Sequence, residues 1–413
     1  MWNAAVPLIA LSLLMADCAP GPGAPLSLSR APTATIVAPE PSRESSAVPS
    51  ASPTGPPSTR LNGPIQRLDA QVGFATTETG LIRTQDGGGT WAALARMDGA
   101  FFSELRFVDA FHGWAIAERW APSTICVSPK TAPPCWTVMT TSDGGTSWTD
   151  RLSLPGNQLG TAVVTSLQAI DDQRAWVVVQ TTACPITACV GELRMTQDGG
   201  QTWTVQLSRE GGLGPVRFAS AARGWIAAAR PGDARRGVDI LTSADGGVSW
   251  STVFRSADDV LTIDAASERE AWILTRDGAF CTSSSCSRYD LLRTSDAGTT
   301  WTSLGNPYVQ ATCSGGHLRG LVFASPSAGW MGISLGPGGA NVGDGGLMRS
   351  RDGGRTWDCR RPPQNVSFVS VADPLRVWAR SDPGGSSLKG SVPALLASED
   401  GGDTWHALTI AFR

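Results

Sequence analysis

Short runs in which apolar and polar residues alternate recur through most of the chain. IQRLD at Ile65, LRFVD at Leu105, LQAID at Leu167, VRFAS at Val216, LVFAS at Leu321 and VSVAD at Val369 follow a period of two, and VLTIDAAS at Val260 is a looser copy. That period is the mark of a half-buried strand. Each run leads through a turn into a second strand carrying an aromatic: Phe74, Trp114, Trp176, Trp225, Trp272, Trp330 and Trp378. A loop of variable length and a third strand follow. Then comes an eight-residue phrase, Ser/Thr-x-Asp-x-Gly-x-Ser/Thr-Trp, which begins at Thr84, Thr141, Thr196, Ser243, Thr294, Ser350 and Ser398. A fourth strand follows the phrase.

Four strands in every 47 to 57 residues, seven times over, predict an all-β chain folded as a single seven-bladed β-propeller. The blades are expected over residues 63–413, each with four antiparallel strands, here lettered A to D, and with the phrase in the C–D turn. No strand is left over for exchange between the ends, so closure is expected to rest on packing of the first blade against the last.

The repeat also explains most of the tryptophan. Of 16 Trp, only Trp2, Trp120 and Trp136 lie outside the two repeated columns. A thin sheet that buries both faces needs large flat side chains, so the column aromatics are read as core. The phrase is read the same way. Gly at its fifth position permits a positive φ, and the Asp carboxylate can accept hydrogen bonds from the turn. Asp86, Asp143, Asp198, Asp245, Asp296, Asp352 and Asp400 are therefore expected to be structural, because seven peripheral copies cannot converge on one site.

Composition adds the setting. A net charge of −3 gives no basic surface for nucleic acid, and charged residues are only 17% of the chain. Residues 4–15 are an apolar run of the length of a signal sequence, followed by Cys18 in a setting similar to a lipoprotein cleavage site, although Asp17 departs from it. Residues 1–18 are read as a signal, and residues 19–62, rich in Pro, Ala and Ser, as a tether without a core of its own. Membrane association is expected through an N-terminal lipid only. Eight further cysteines fall as Cys126 and Cys135, Cys184 and Cys189, Cys281 and Cys286, then Cys313 and Cys359. Disulfides are expected from them, which suits an extracytoplasmic protein at the cell surface or secreted. No His stands in ligand spacing to these cysteines, and neither metal nor cofactor is expected.

The phrases resemble the Asp-box, the bacterial neuraminidase repeat, over residues 63–413. Their coupling to the aromatic strand is most similar to the seven-bladed photosystem II stability and assembly factor family and its non-photosynthetic bacterial relatives. That resemblance implies a non-catalytic binding or scaffold protein, a monomer, with a protein or glycan partner. The alternative is a carbohydrate-active hydrolase, sialidase-like or another glycosidase. A sialidase resemblance would imply six blades, an Arg-Ile-Pro motif and a Tyr–Glu pair; the motif is absent, and the two Tyr, Tyr289 and Tyr308, have no evident Glu partner. Xyloglucan-cleaving relatives imply two propellers, and one is read here.

A glycosidase needs two carboxyl groups at a cleft. Asp69, Asp109, Asp171 and Asp373 all stand five residues before the aromatic, where Ser220, Ser267 and Ser325 replace them, so they are read as turn caps. Asp172 lies beside that column. The Gly-rich stretches at Gly211 and Gly336 lack the strand–loop–helix context of a phosphate site. Two places remain for a ligand. Eight residues before each aromatic runs a column of Gln66, Arg106, Gln168, Arg217, Asp264, Val322 and Ser370, a candidate channel lining. The long B–C loops are the other, with Trp120 as the candidate partner contact.

Overall fold

The computed structural model describes residues 57–96, 100–119, 135–154, 162–181, 190–230, 237–277, 288–310, 317–334, 346–360, 366–381 and 394–413. Cys18, Trp120, Cys126, Cys184, Cys189, Cys281, Cys286 and Cys313 lie outside these residues, as does the signal. Cys135 opens strand C of blade 2. Cys359, in strand D of blade 6, is disulfide-bonded, and its expected partner Cys313 falls outside the description.

Among the described residues the chain forms seven four-stranded antiparallel sheets, each a simple A–B–C–D meander. A helical turn at Pro307–Gln310 is the one departure from β structure. Strand A of every blade touches strand A of the next, and that of blade 7 (Val366–Val371) touches that of blade 1 (Leu61–Arg67). The seven A strands therefore ring a central channel, and the fold is a seven-bladed β-propeller.

The blades are held apart and together by the aromatic column. Phe74 and the six column Trp are at most 1% exposed. In blades 1, 3 and 5 this aromatic stacks on a Phe of the next blade's strand A. Phe74 lies 3.4 Å from Phe107, Trp176 3.8 Å from Phe218 and Trp272 3.6 Å from Phe323, with planes within 9° of parallel. Each of these Phe residues faces a cross-strand glycine, Gly113, Gly224 or Gly329. A Cβ at Gly224 would meet the Phe218 ring at 2.5 Å. The Gly-Trp dipeptide therefore marks blades 2, 4 and 6, where the ring occupies the space of a side chain. Blades 3 and 5, whose A strands carry Ala169 and Ala265 in place of Phe, have Ala175 and Ala271 there instead.

The phrase closes the C–D turn identically in all seven copies. The Ser/Thr at its start donates to one Asp oxygen at 2.7–2.9 Å. The Ser/Thr at its seventh position donates its hydroxyl to the other at 2.6–2.7 Å. Its backbone N–H also reaches the carboxylate. Positive φ occurs at the fourth position as well as the fifth, so two consecutive residues, not one, need that conformation. Six copies have Gly at the fourth position, and Ala297 adopts φ 63° in the remaining one.

Blade 1 meets blade 7 through more than packing. Trp378, Trp91, Leu61, Ile65 and Leu395 form one buried cluster. Within it, Arg67 donates its backbone N–H to Ser370 Oγ at 2.8 Å and pairs with Glu399 at 2.6 Å. Outside the blades, Trp91 exchanges backbone hydrogen bonds with the segment around Phe412, through Ala411 O and Arg413 N.

Candidate functional site

An innermost strand has one edge without a partner strand, and its N–H and C=O groups need hydrogen bonds from elsewhere. In this ring the polar column supplies them. Gln66 of blade 1 brackets Phe107 of blade 2, accepting from its N–H at 2.6 Å and donating to its C=O at 2.8 Å. Asp264 of blade 5 accepts from Phe323 N–H of blade 6 at 2.5 Å. Ser370 does the same for Arg67, as described. Gln168 and Arg217 join blades 3 and 4, with Arg217 Nη1 donating to Gln168 Oε1 at 3.2 Å. Val322 is apolar and makes no such bridge; blades 6 and 7 are instead tied by Arg349, which donates to Gly401 O at 2.6 Å.

Arg106 behaves differently from its column. It turns to Glu104 on its own strand (Ala100–Phe107), with Nη2 2.9 Å from Oε1. Glu104 Oε2 then accepts from Leu167 N–H of blade 3 at 2.9 Å. Glu104 is absent from the residues singled out by sequence. The signal for it was strand alternation, which puts it on the same channel face as Arg106; the bulge at Phe102 and Glu104 helps turn it toward blade 3.

These contacts assemble two carboxyl groups and two guanidiniums on the channel side of blades 2 to 5. Burial pushes the Glu104 carboxyl above its ordinary range, and the Arg106 charge and the Leu167 N–H only partly oppose it. Burial likewise raises Asp264, against the Arg217 charge, the Phe323 N–H and the more remote charge of Arg106. Arg217 Nε lies 3.0 Å from Asp264 Oδ1. A raised carboxyl pKa favours the protonated form, which an acid that donates a proton requires.

Beside Glu104 the two blades part into a cleft of about 290 Å³. Its walls include Ser103, Ile116, Trp136, Val163 and Thr165. Trp136, on strand C of blade 2, is half-buried and belongs to neither repeated column. An apolar cleft with one flat aromatic wall and one perturbed carboxyl is the shape of a small-ligand site.

The turn column is kept away from this chemistry. Asp69, Asp109, Asp171 and Asp373, with Ser220, Ser267 and Ser325, all accept backbone N–H groups of the A–B turn. Asp172 sits outside the channel in a separate polar hollow with His112, Arg151 and Asp198. Tyr289 is buried and accepts from Leu318 N–H.

No family model matches the chain. No curated protein matches it. Solved structures do. A GH74 enzyme of Niastella koreensis superposes with a TM-score of 0.51 at 13% identity, over 84% of this chain and 66% of that one. A GH74 xyloglucanase of Xanthomonas campestris follows at 0.49 and 12%, over 85% and 68%. A PL25 ulvan lyase gives 0.46 and 10%, over 86% and 94%. This chain thus spans just under two thirds of the first of these enzymes.

At these identities the likeness shows the fold. The expectation of a non-catalytic scaffold is corrected here, since the propeller that superposes at 0.51 carries the name of a GH74 enzyme. The acids of the repeated turn column are caps, whereas Glu104 belongs to no repeated column.

Proposed function

We propose that this protein is an extracytoplasmic carbohydrate-active hydrolase whose reaction takes place at the Glu104 cleft. One observation carries the reading: a carboxyl raised by burial opens onto a cleft walled by Trp136. Trp136 would take the apolar face of a sugar ring, and Glu104 would protonate the departing glycosidic oxygen. Asp264 is the second carboxyl of the inner ring and the candidate to stabilise or attack the sugar cation. Arg106 pairs directly with Glu104, and its charge reaches Asp264 only from a distance.

The test is release of reducing ends from a panel of polysaccharides and fluorogenic glycosides. Turnover on one of them should fall about 10²–10⁴-fold in Glu104→Gln, with the melting transition retained. Turnover that survives both Glu104→Gln and Asp264→Asn would overturn the assignment, as would a folded protein inert on the whole panel.

The finer reading of the seven turns as Asp-boxes belongs here too. It is supported by the same three hydrogen bonds to the carboxylate recurring in every copy. A location beyond the cytoplasm is supported by the disulfide at Cys359. Lipid attachment at Cys18 is part of the same proposal, and mass measurement of the mature N-terminus tests it.

A further inference from the structure

The described arginines near the blade junctions differ in exposure; Arg351 and Arg360 of blade 6, 60% and 28% exposed, share Asp403 of blade 7. Arg67 and Arg349 are 2% exposed, and each is used up by a carboxylate and a backbone carbonyl of the neighbouring blade. Arg106 and Arg217 are 44% and 33% exposed, on the channel face. Arg217 is fixed by Gln168, Asp264 and Ala265 O. Arg106 is engaged through Nη2 to Glu104. An exposed guanidinium edge held on a rigid strand is a pre-organised fork for a planar anion.

We infer that the channel face of blades 2 to 4 recognises an anionic glycan, with Arg106 taking the carboxylate of a uronic acid unit and Arg217 supporting it. This deepens the hydrolase reading and rests on it for the placement of the sugar beside Trp136. The distance between recognition and reaction is short by construction, because Arg106 and Glu104 are two positions apart on one strand face. Charge balance agrees. Two carboxyls and two guanidiniums sum to zero when all are ionised, and burial disfavours the ionised carboxyls.

Binding is measured apart from turnover, by affinity electrophoresis of the full chain in gels containing polygalacturonate, hydroxyethylcellulose or dextran sulfate. Retardation by polygalacturonate is expected, reduced at least about tenfold in Arg106→Gln and partly restored in Arg106→Lys. Arg217→Lys, with its melting transition monitored, should weaken binding less. Equal retardation by the neutral polymer overturns the inference, as does retardation by dextran sulfate alone or an Arg106→Gln protein that binds like the parent. Hydrolysis of a neutral glycan without uronate binding sinks this inference and leaves the hydrolase reading standing. Uronate binding without hydrolysis of any polymer does the reverse.

Discussion

The outer ring of turns and the inner ring of channel residues are built from the same seven-fold repeat, yet their carboxyl groups are pushed in opposite directions. In the outer ring, Asp245 is held at about 2 by the Ser249 hydroxyl and N–H and by the Ser243 hydroxyl. Asp296 is held at about 2 by the Thr300 N–H and hydroxyl and by the Thr294 hydroxyl. In the inner ring, burial raises Glu104 and Asp264. The outer positions are chemically uniform; the inner column holds Gln, Arg, Asp, Val and Ser at equivalent places. Uniform chemistry is what a ring needs from each blade in turn. A single site needs unlike groups brought together, as Glu104, Arg106, Arg217 and Asp264 are on the channel face.

Aromatic stacks join neighbouring blades, and breaking one should have the largest effect. Phe218→Ala removes the ring sandwiched between Trp176 and Trp250. It should cost about 3–5 kcal/mol in urea denaturation. Gly224→Ala overfills the same spot and should cost about 1–3 kcal/mol. The two changes share one volume, so the glycine substitution should be much milder when Phe218 is already Ala. Additive costs would mean that Gly224 is required by its backbone and not by the Phe218 ring.

A smaller and more discriminating effect lies in the pH dependence. The folded pKa of Asp245 lies below the ordinary carboxyl value of about 3.9. Its contribution to stability is therefore full above about pH 4 and is lost as pH falls through about 2. Asp264 has the opposite sign. Its raised folded pKa favours the folded state below the ordinary carboxyl value, and that contribution disappears as pH rises through the folded pKa. Asp245→Asn should therefore remove a few degrees of melting temperature at neutral pH, a difference that closes on acidification. The gap between the parent and Asp264→Asn should move the other way, with the parent gaining as pH falls. Parallel profiles for the two variants would erase the distinction between the rings.

The division between the rings also decides what could be read without a structure. Strand periods, turn residues and the phrase are local, so blade number and strand order were legible. So was the Gly-Trp dipeptide as a motif, but its cause was not. The stack of Phe74 on Phe107 and its counterparts join different blades, and nothing local says which blade lies against which. Ring closure is the extreme case, since Arg67 finds Ser370 across 303 residues. At the candidate site the column was visible by its spacing, whereas its role in satisfying the free edge of the next strand was not. Glu104 was hidden for a simpler reason: it occurs in one blade only and in no repeated column. Trp136 was visible as an outlier, as was Trp120 in the neighbouring loop.

The smallest expected effect tests whether the outer copies are as equivalent as their hydrogen bonds suggest. Ala297 holds φ 63° where six copies have Gly. A left-handed conformation costs a residue with a Cβ about 1–2 kcal/mol. Glycine removes that cost but adds about 0.4–1 kcal/mol of unfolded-state freedom. Ala297→Gly should therefore stabilise by at most about 1.6 kcal/mol. The reverse change in another copy is not its mirror image. A Cβ on Gly246 would lie 2.7 Å from Ala221 O as well as at φ 78°, so Gly246→Ala meets a backbone atom in addition to the strained conformation. Urea denaturation of both variants separates the two contributions. A larger loss at Gly246 than the gain at Ala297 is expected, and the excess measures the close approach of the A–B turn to the phrase. Equal magnitudes would show that φ alone selects glycine at this position, and that the seven turns are interchangeable in energy as well as in form.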